Sequence, residues 1–331
     1  MAADARDPAT LLDRAAEGDR AALARLLSIV ERGGAEARTL GRLTHPRGGG
    51  TYAIGITGAP GAGKSTLTSA LVGEVRAAVD QSVAVLAVDP SSPFTGGAIL
   101  GDRVRMGDHT GDRSVYIRSM ATRGHLGGLS LATVEAIRVL DATGWPWVLV
   151  ETVGVGQVEV EIAGAADTTV VVVNPGWGDA VQANKAGLLE IADVFVINKA
   201  DRPGAAETRR DLDRMLDLSA REGWRPPIVS TVATTGEGVA DLWQAIVAHR
   251  AHQEASGELD RRRRANVAGE LEEIMAALVR QRVAAAAAGQ IEQLADEVAR
   301  RAVDPWTAAE QLLDGAEDGP ARGSDRSPGR G

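Results

Sequence analysis

Short apolar runs alternate with longer amphipathic stretches along most of this 331-residue chain. From Thr51 onward, several apolar runs are continuous and β-branched, as in the segment TTVVVV. Such runs are typical of strands buried on both faces of a mostly parallel sheet that helices cover. We therefore expect an α/β fold in which ligands bind at the turns that follow the strands. The predicted strands are Tyr52–Thr57, Val83–Asp89, Val115–Arg118, Trp147–Thr152, Thr168–Asn174, Val194–Asn198 and Pro227–Val232.

Helical patterns flank the predicted sheet on both sides. Residues 8–32 repeat apolar positions with helical spacing, which predicts one or two amphipathic helices, and the stretch from Gly41 to Gly50 separates them from the first strand. After Gly238, helices are predicted over residues 239–254, 257–288 and 289–314, and the Gly-, Pro- and Ser-rich tail from Gly315 is typical of disorder. The predicted organisation is a helical extension at 1–46, a central domain at 47–250, a helical arm at 251–314 and a disordered tail at 315–331.

Composition narrows the possible functions. The chain has a formal charge of −9 and no cysteine, so a disulfide framework, a thiolate metal site and a cysteine nucleophile are excluded. The net negative charge argues against general binding to nucleic acid. No apolar run approaches the roughly 18 residues that a membrane span needs, and the N-terminus has no apolar signal core. We expect a soluble, cytoplasmic protein with no membrane or nucleic-acid partner.

A glycine-rich segment, GAPGAGKS at residues 58–65, matches the P-loop pattern at every fixed position. Glycines allow backbone N–H groups to surround phosphates, and the helix that follows directs the positive end of its dipole towards them. The lysine reaches the β- and γ-phosphates, and the serine hydroxyl can coordinate Mg²⁺. The predicted phosphate-binding residues are Gly58, Ala59, Pro60, Gly61, Ala62, Gly63, Lys64, Ser65 and Thr66.

A second motif, NKAD at residues 198–201, follows the predicted strand DVFVIN. The carboxylate of Asp201 can accept hydrogen bonds from the ring N–H and the exocyclic amine of guanine, a donor pair that adenine lacks. Asn198 can link this loop to the P-loop, and the stem of Lys199 can cover the base. Thr231, Val232 and Ala233, after the last predicted strand, complete the expected base pocket.

Three acidic residues are candidates for binding Mg²⁺ and supporting hydrolysis. Asp89 and Glu151 each end an apolar strand, and Asp102 lies in the loop LGDRVRM. Together with Lys64 they form the predicted catalytic group, and with Ser65 the predicted metal ligands. The segment ETVG, from Glu151 to Gly154, has the form of a switch that senses the γ-phosphate.

The residue after this switch segment is Val155, at a position where small GTPases place a water-orienting glutamine. This difference predicts either weak intrinsic hydrolysis or a water positioned by another group, such as Gln157 or one of the acids.

With these motifs, the chain resembles the MeaB/ArgK family of GTPases from about Asp19 to Trp243. The resemblance rests on long segments besides the P-loop. They are GDRAALARLLSIVE, AVDPSSPFTGGAILGDRVRM, RSMATRGHLGGLS, VLVETVGVGQVEVE and NPGWGDAVQANKAGLLEIADVFVINKAD.

The resemblance implies a P-loop GTPase domain with helical extensions at both ends, the C-terminal one carrying homodimer contacts. It implies GTP, GDP and Mg²⁺ as ligands, with Asp89, Asp102 and Glu151 at acidic metal or switch positions. It also implies a partner, the adenosylcobalamin-dependent methylmalonyl-CoA mutase or a related acyl-CoA mutase, whose cofactor loading and release the protein gates. An additional switch loop is implied at Gly176–Gly187, which contains Lys185.

Two other functions remain open at this point: a GTP-dependent kinase of amino-acid transport proteins and a nickel-delivery GTPase. The chain lacks a kinase catalytic loop and a His-rich tract, which disfavours both. Three minor features complete the expectations. The run Arg261–Arg264 is interpreted as a solvated helix face rather than a partner contact, His249 and His252 as surface residues, and His125 as a candidate neighbour of a switch.

Overall fold

A computed structural model describes residues 7–90, 109, 111–122, 128–152, 161–176, 187, 190–218, 223–287 and 289–317. Of the predicted site residues, Asp102, Gly154 and Lys185 lie outside the described residues, as do Val155, Gln157 and His125. The backbone of Asp89 is described, but its side chain is not.

Seven described strands form one sheet, and every neighbouring pair in it is parallel. The order across the sheet is β3-β2-β4-β1-β5-β6-β7. The prediction of a mostly parallel sheet is confirmed, and the strands lie where the apolar runs predict them. Their bounds are β1 Tyr52–Gly58, β2 Val83–Pro90, β3 Val115–Thr122, β4 Trp147–Thr152, β5 Thr168–Val173, β6 Val194–Asn198 and β7 Ile228–Thr231.

Helices cover both faces of the sheet, which explains why the strands are apolar at successive positions. On one face, Ile54, Leu149 and Val170 pack against α4 (Lys64–Val79) and α7 (Val239–Ser256). On the other face, residues such as Leu86 and Val150 pack against the N-terminal helices and α5 (Gly128–Ala142), and Phe195 packs against α6 (Ala205–Leu218). None of the described helices combines the length and apolar character that crossing a bilayer requires.

The N-terminal extension contains one more helix than the sequence predicts. α1 (Pro8–Ala16) and α2 (Arg20–Arg32) are the expected amphipathic helices, but α3 (Gly34–Thr44) follows immediately and is succeeded by a short 3-10 turn at His45–Arg47. The expected separating stretch from Gly41 is therefore helical as far as Thr44. Ala37 and Leu40 are buried among α1, α2 and α5, so tertiary packing stabilises a segment whose glycines disfavour a helix.

The C-terminal helices are α8 (Glu258–Ala286), α9 (Gln290–Ala299) and α10 (Pro305–Glu317). The prediction of one helix over residues 289–314 is wrong, because the chain turns between α9 and α10. Arg301 adopts a positive φ of 62°, and the side chain of Asp304 accepts hydrogen bonds from the backbone N–H of Trp306 and Thr307, which begins a new helix. The helix also continues past Gly315, where the composition predicts disorder.

The chain divides into two compact units, residues 1–270 and 271–331. The first unit contains the sheet, the helices that cover it and the first part of α8. The second contains the remainder of α8 with α9 and α10, whose packing buries Ala287 and Ala308. The boundaries expected for a separate C-terminal arm remain a prediction.

The N-terminal ends of the strands β1, β5 and β6 lie side by side. This side of the sheet is here called the amino edge and is defined by Thr51, Asp167 and Asp193, which directly precede those strands. Arg263 donates to both carboxylate oxygens of Asp167 (2.8 and 2.9 Å) and to the carbonyl of Thr51 (2.8 Å). Arg262 donates to Asp193 at 2.8 Å. The interpretation of Arg261–Arg264 as a solvated face is therefore wrong for these two arginines, because the helix turns them towards buried carboxylates.

His249 also departs from its predicted position. It is fully buried, with Nδ1 lying 2.8 Å from the hydroxyl of Thr168 and Nε2 lying 3.6 Å from the carboxylate of Asp193. His252, three residues further along α7, stays partly exposed beside Trp224. The i, i+3 spacing does not distinguish the two, because only the packing of α7 on the amino edge decides which histidine faces the sheet.

Candidate functional site

The opposite, carboxyl edge of the sheet carries the glycine-rich loop, which joins β1 to α4. The strand–loop–helix arrangement expected for a P-loop is present. Gly58 has a φ of +132°, and a Cβ atom on it would lie 2.0 Å from the carbonyl oxygen of Val172. Gly63 has a φ of +90°, and a Cβ atom there would lie 2.5 Å from the side chain of Asn198. Both positions thus require glycine, for close approach as well as for backbone conformation.

Lys64 is the first residue of α4 and is 7% exposed. Its ammonium group donates to the carbonyls of Gly58 (2.7 Å) and Ala59 (3.1 Å), so the side chain folds back over the start of its own loop. This contact holds the positive charge within the concave face of the loop, at the N-terminal end of a helix where an anion is favoured.

Ser65 and Glu151 bring the loop and the end of β4 together. The hydroxyl of Ser65 donates to Oε1 of Glu151 at 2.5 Å, and Glu151 is 3% exposed. Mg²⁺ prefers oxygen ligands and commonly takes only one or two from the protein in nucleotide sites, so this hydroxyl–carboxylate pair fits the ion. β2 lies beside β4, with Val88 paired to Thr152, so the backbone of Asp89 is at the same edge.

Asn198, the last residue of β6, connects three segments of the site. Its amide donates to the carbonyl of Ala62 in the glycine-rich loop at 2.8 Å, which is the link that the sequence predicts. Its side-chain oxygen accepts from the hydroxyl of Thr231 and from the backbone N–H of Ala233, both at 3.1 Å. The two loops that were assigned separately to phosphate and base are therefore held together by one buried side chain.

The side chain of Lys199 also reaches from the NKAD segment to the glycine-rich loop, at the junction that Asn198 makes between them. Lys199 adopts a left-handed φ of 60°, which is uncommon for a residue with a side chain, and its ammonium group donates to the carbonyl of Gly61 at 2.7 Å. Backbone strain of this kind concentrates at functional sites. Asp201 is exposed, two residues further on, so its carboxylate is accessible to a ligand.

One contact at this edge involves residues that the sequence reasoning missed. The hydroxyl of Thr152 donates to the hydroxyl of Thr57 at 3.0 Å, and both residues are fully buried. Thr57 immediately precedes the glycine-rich loop, and Thr152 immediately follows Glu151. The sequence shows that both threonines are next to motif residues along the chain, but it does not show that β1 and β4 are neighbouring strands.

Comparison with known proteins gives consistent results. The family model described as methylmalonyl-CoA mutase-associated GTPase MeaB matches residues 23–288. A protein of Pyrococcus abyssi named as a GTPase is 50% identical over 308 residues, covering 92% of this chain and 95% of the relative. The GTPase ArgK of Escherichia coli is 39% identical, covering 74% of this chain and 77% of the relative.

Among solved structures, one described as a LAO/AO transport system kinase is similar over 95% of this chain and 99% of its own length. The TM-score is 0.68 at 26% sequence identity. The α/β fold of the P-loop type, with helical extensions, is thus supported by both the strand order and the structural likeness.

Proposed function

This chain belongs to the MeaB family of GTPases, and we propose that it is a GTP-hydrolysing chaperone of a cobalamin-dependent acyl-CoA mutase of the methylmalonyl-CoA mutase type. In this proposal, GTP binding and hydrolysis gate the loading and release of adenosylcobalamin on a separate mutase chain in the cytoplasm. The observation that carries it is the family match over residues 23–288 together with the junction that Asn198 makes between the two nucleotide loops.

Guanine selection is assigned to the junction around Asn198. Asp201 is exposed beside it and offers the two carboxylate oxygens that guanine's donor pair requires. Lys199 is held across the loop by its contact with Gly61, which places its aliphatic stem along the junction. Thr231, Val232 and Ala233 are proposed to border the base through backbone groups.

Phosphate binding and hydrolysis are assigned to the other half of the site. Lys64 would exchange its contacts with loop carbonyls for contacts with the β- and γ-phosphates. Ser65 and Glu151 would hold Mg²⁺, and the ion would neutralise the negative charge that develops on the phosphates during transfer. Asp89, Asp102, Gly154 and Lys185 remain proposed members of this group from the sequence alone.

A homodimer is part of the proposal, with the second copy covering an exposed apolar stripe on α8. Leu271, Met275 and Val279 are spaced four residues apart, which places them on one side of the helix. Their exposed fractions are 55%, 57% and 46%. Such a stripe is unfavourable in water and is typical of a surface that pairs with another chain.

The experiment is reconstitution with a mutase of the same source. The wild-type protein should co-purify with the mutase, the mutase should raise GTP turnover, and GTP should control cofactor transfer. Asp201→Asn serves as the control, because it should lose the response to GTP while the protein remains folded. Absence of mutase binding with GDP, GTP or no nucleotide would refute the chaperone role and leave the GTPase assignment standing.

A second candidate is phosphotransfer to a binding protein, which only the name of the LAO/AO transport system kinase favours. Incubation of the protein with γ-labelled GTP and candidate amino-acid-binding proteins tests it directly. Transfer of label to a protein acceptor would support this candidate, and release of all label as inorganic phosphate would exclude it.

A further inference from the structure

Two adjacent residues at the end of β4 contact opposite ends of the glycine-rich loop. Thr152 donates to Thr57, the residue before the loop, at 3.0 Å. Glu151 accepts from Ser65, just after the loop, at 2.5 Å. The loop is thus held at both ends by neighbouring positions of one strand.

Strand alternation explains how one strand reaches both ends. Successive side chains of a strand point to opposite faces of the sheet. Leu149, two positions before Glu151, packs in the core with α4, and Val150, two positions before Thr152, packs in the core on the other face. Glu151 therefore points towards Ser65 in α4, while Thr152 points to the other face, where Thr57 also lies.

The threonine pair is rigid. Both residues are fully buried, and a β-branched side chain has few χ1 choices, so the contact between the two hydroxyls is a fixed additional link between β1 and β4, next to the backbone pairing of Ile56 with Glu151. Breaking it leaves a buried hydroxyl without a partner, which is costly. The backbone of Glu151 is paired with Ile56 in β1 and with Ala87 in β2, and the contact of Thr152 with Thr57 lies one residue beyond the pairing with β1. The contact therefore restrains the end of β4 directly beside Glu151.

The contact of Ser65 with Glu151 also sets the chemistry of the serine oxygen. When the hydroxyl proton is donated to the carboxylate, the lone pairs of the serine oxygen remain available to a cation. The orientation of Ser65 as a metal ligand therefore depends on the placement of Glu151.

We propose that Thr152 and Thr57 form a positioning pair that places Glu151, and through it Ser65, for Mg²⁺ binding at the nucleotide site. Both side chains are fully buried, so the role assigned to them is positioning rather than contact with nucleotide or metal. This inference rests on the proposed function, because it concerns the same GTP site.

The test compares GDP affinity with and without Mg²⁺, using a fluorescent N-methylanthraniloyl GDP probe and the full chain. In the wild type, Mg²⁺ should tighten binding. Thr152→Val and Thr57→Val keep the shape of the side chain and remove one hydroxyl, and each should reduce the Mg²⁺-dependent gain by about five- to tenfold. Affinity without Mg²⁺ should stay unchanged, and Thr152→Ser should restore most of the gain. The double variant should be no worse than either single one, since both remove the same contact.

A matched control is Thr133→Val in α5, where the threonine is also buried and its hydroxyl has no hydrogen-bond partner among the described residues. It should keep the wild-type response to Mg²⁺. If Thr152→Val retains the full response, or if Thr133→Val loses it equally, the positioning role is overturned. A wild-type protein that binds no guanine nucleotide would instead overturn the proposed function, and this inference with it.

Discussion

Four consecutive arginines, Arg261–Arg264, look equivalent in the sequence, yet the structure gives them unequal contributions to stability. Arg263 makes a forked pair with Asp167, whose side chain is only 10% exposed, and a further hydrogen bond to the carbonyl of Thr51. Arg264 is exposed, and among the described residues its side chain donates to the backbone carbonyl of Asp260, one turn earlier in the same helix. Replacing each with alanine should therefore have very different effects.

The expected change in the free energy of unfolding follows from the contacts that the carboxylate of Asp167 loses. Without Arg263, its carboxylate keeps the backbone N–H of Ala53 as a donor but loses its charge partner. Breaking a buried ion pair costs about 3–5 kcal/mol, and the partial exposure of Arg263 reduces this, so Arg263→Ala should lower the free energy of unfolding by about 2–3 kcal/mol. Arg264→Ala should change it by less than about 0.5 kcal/mol.

Urea denaturation followed by tryptophan fluorescence measures both variants under the same conditions. Arg263→Lys keeps the charge but not the planar fork, so it should recover only about half of the loss. A double-mutant cycle with Asp167→Ala should show strong coupling to Arg263 and none to Arg264. Equal destabilisation by Arg263→Ala and Arg264→Ala would refute the reasoning.

Further predictions concern the site and one partly buried acid, Glu135. Gly58→Ala should cost about 3 kcal/mol or more and impair folding, since its Cβ would meet the Val172 carbonyl, as circular dichroism would show. Lys64→Ala should abolish GTP turnover with the fold intact, as circular dichroism would show. Asp201→Asn should weaken GTP binding by about 1–3 kcal/mol in calorimetry and reduce discrimination against other bases. Burial raises the pKa of Glu135 from 4.5 to about 7, so it binds a proton more tightly when folded and stability falls as the pH rises from 4.5 through 7. Glu135→Gln should therefore stabilise the protein by about 1–3 kcal/mol at pH 8 and progressively less at lower pH.

Each of these has an outcome that contradicts it. A normally folded Gly58→Ala protein would mean that β1 and β5 separate more easily than the structure shows. Normal turnover in Lys64→Ala would contradict the phosphate assignment, and unchanged base selectivity in Asp201→Asn would remove that carboxylate from the base pocket. If the effect of Glu135→Gln is the same at pH 5 and pH 8, the carboxyl group does not titrate in this range.

The sequence predicts the positions of the two nucleotide motifs well, because the residue patterns that identify them are local. The glycines of residues 58–63 and the motif from Asn198 to Asp201 each follow a buried strand, and both stand at the carboxyl edge as expected. The prediction that Asn198 links the two loops concerned a contact between distant segments, yet it could be made because carboxyl ends of parallel strands meet at one edge. The side-chain placements of Asp89, Asp102, Gly154 and Lys185 stay predictions.

Contacts between segments with no motif could not be predicted in this way. A threonine before a glycine-rich loop and a threonine after an acid are ordinary strand residues until the strand order places β4 beside β1. The same holds for α3, whose glycine-containing segment becomes helical only because Leu40 finds a buried site. Local propensity is weak compared with the free energy of burying apolar surface, so packing decides such segments.

The sequence by itself determined the α/β class, the positions of the strands and the chemistry of the two nucleotide motifs. These follow from periodicity and from residue types that act within a few positions of one another. Only the tertiary structure decided which of four arginines pairs with the carboxylate of Asp167, which of two histidines is buried, and that Thr152 and Glu151 hold opposite ends of one loop. Those contacts join residues as far as 96 positions apart, and they depend on strand order and on helix rotation, which no local pattern encodes.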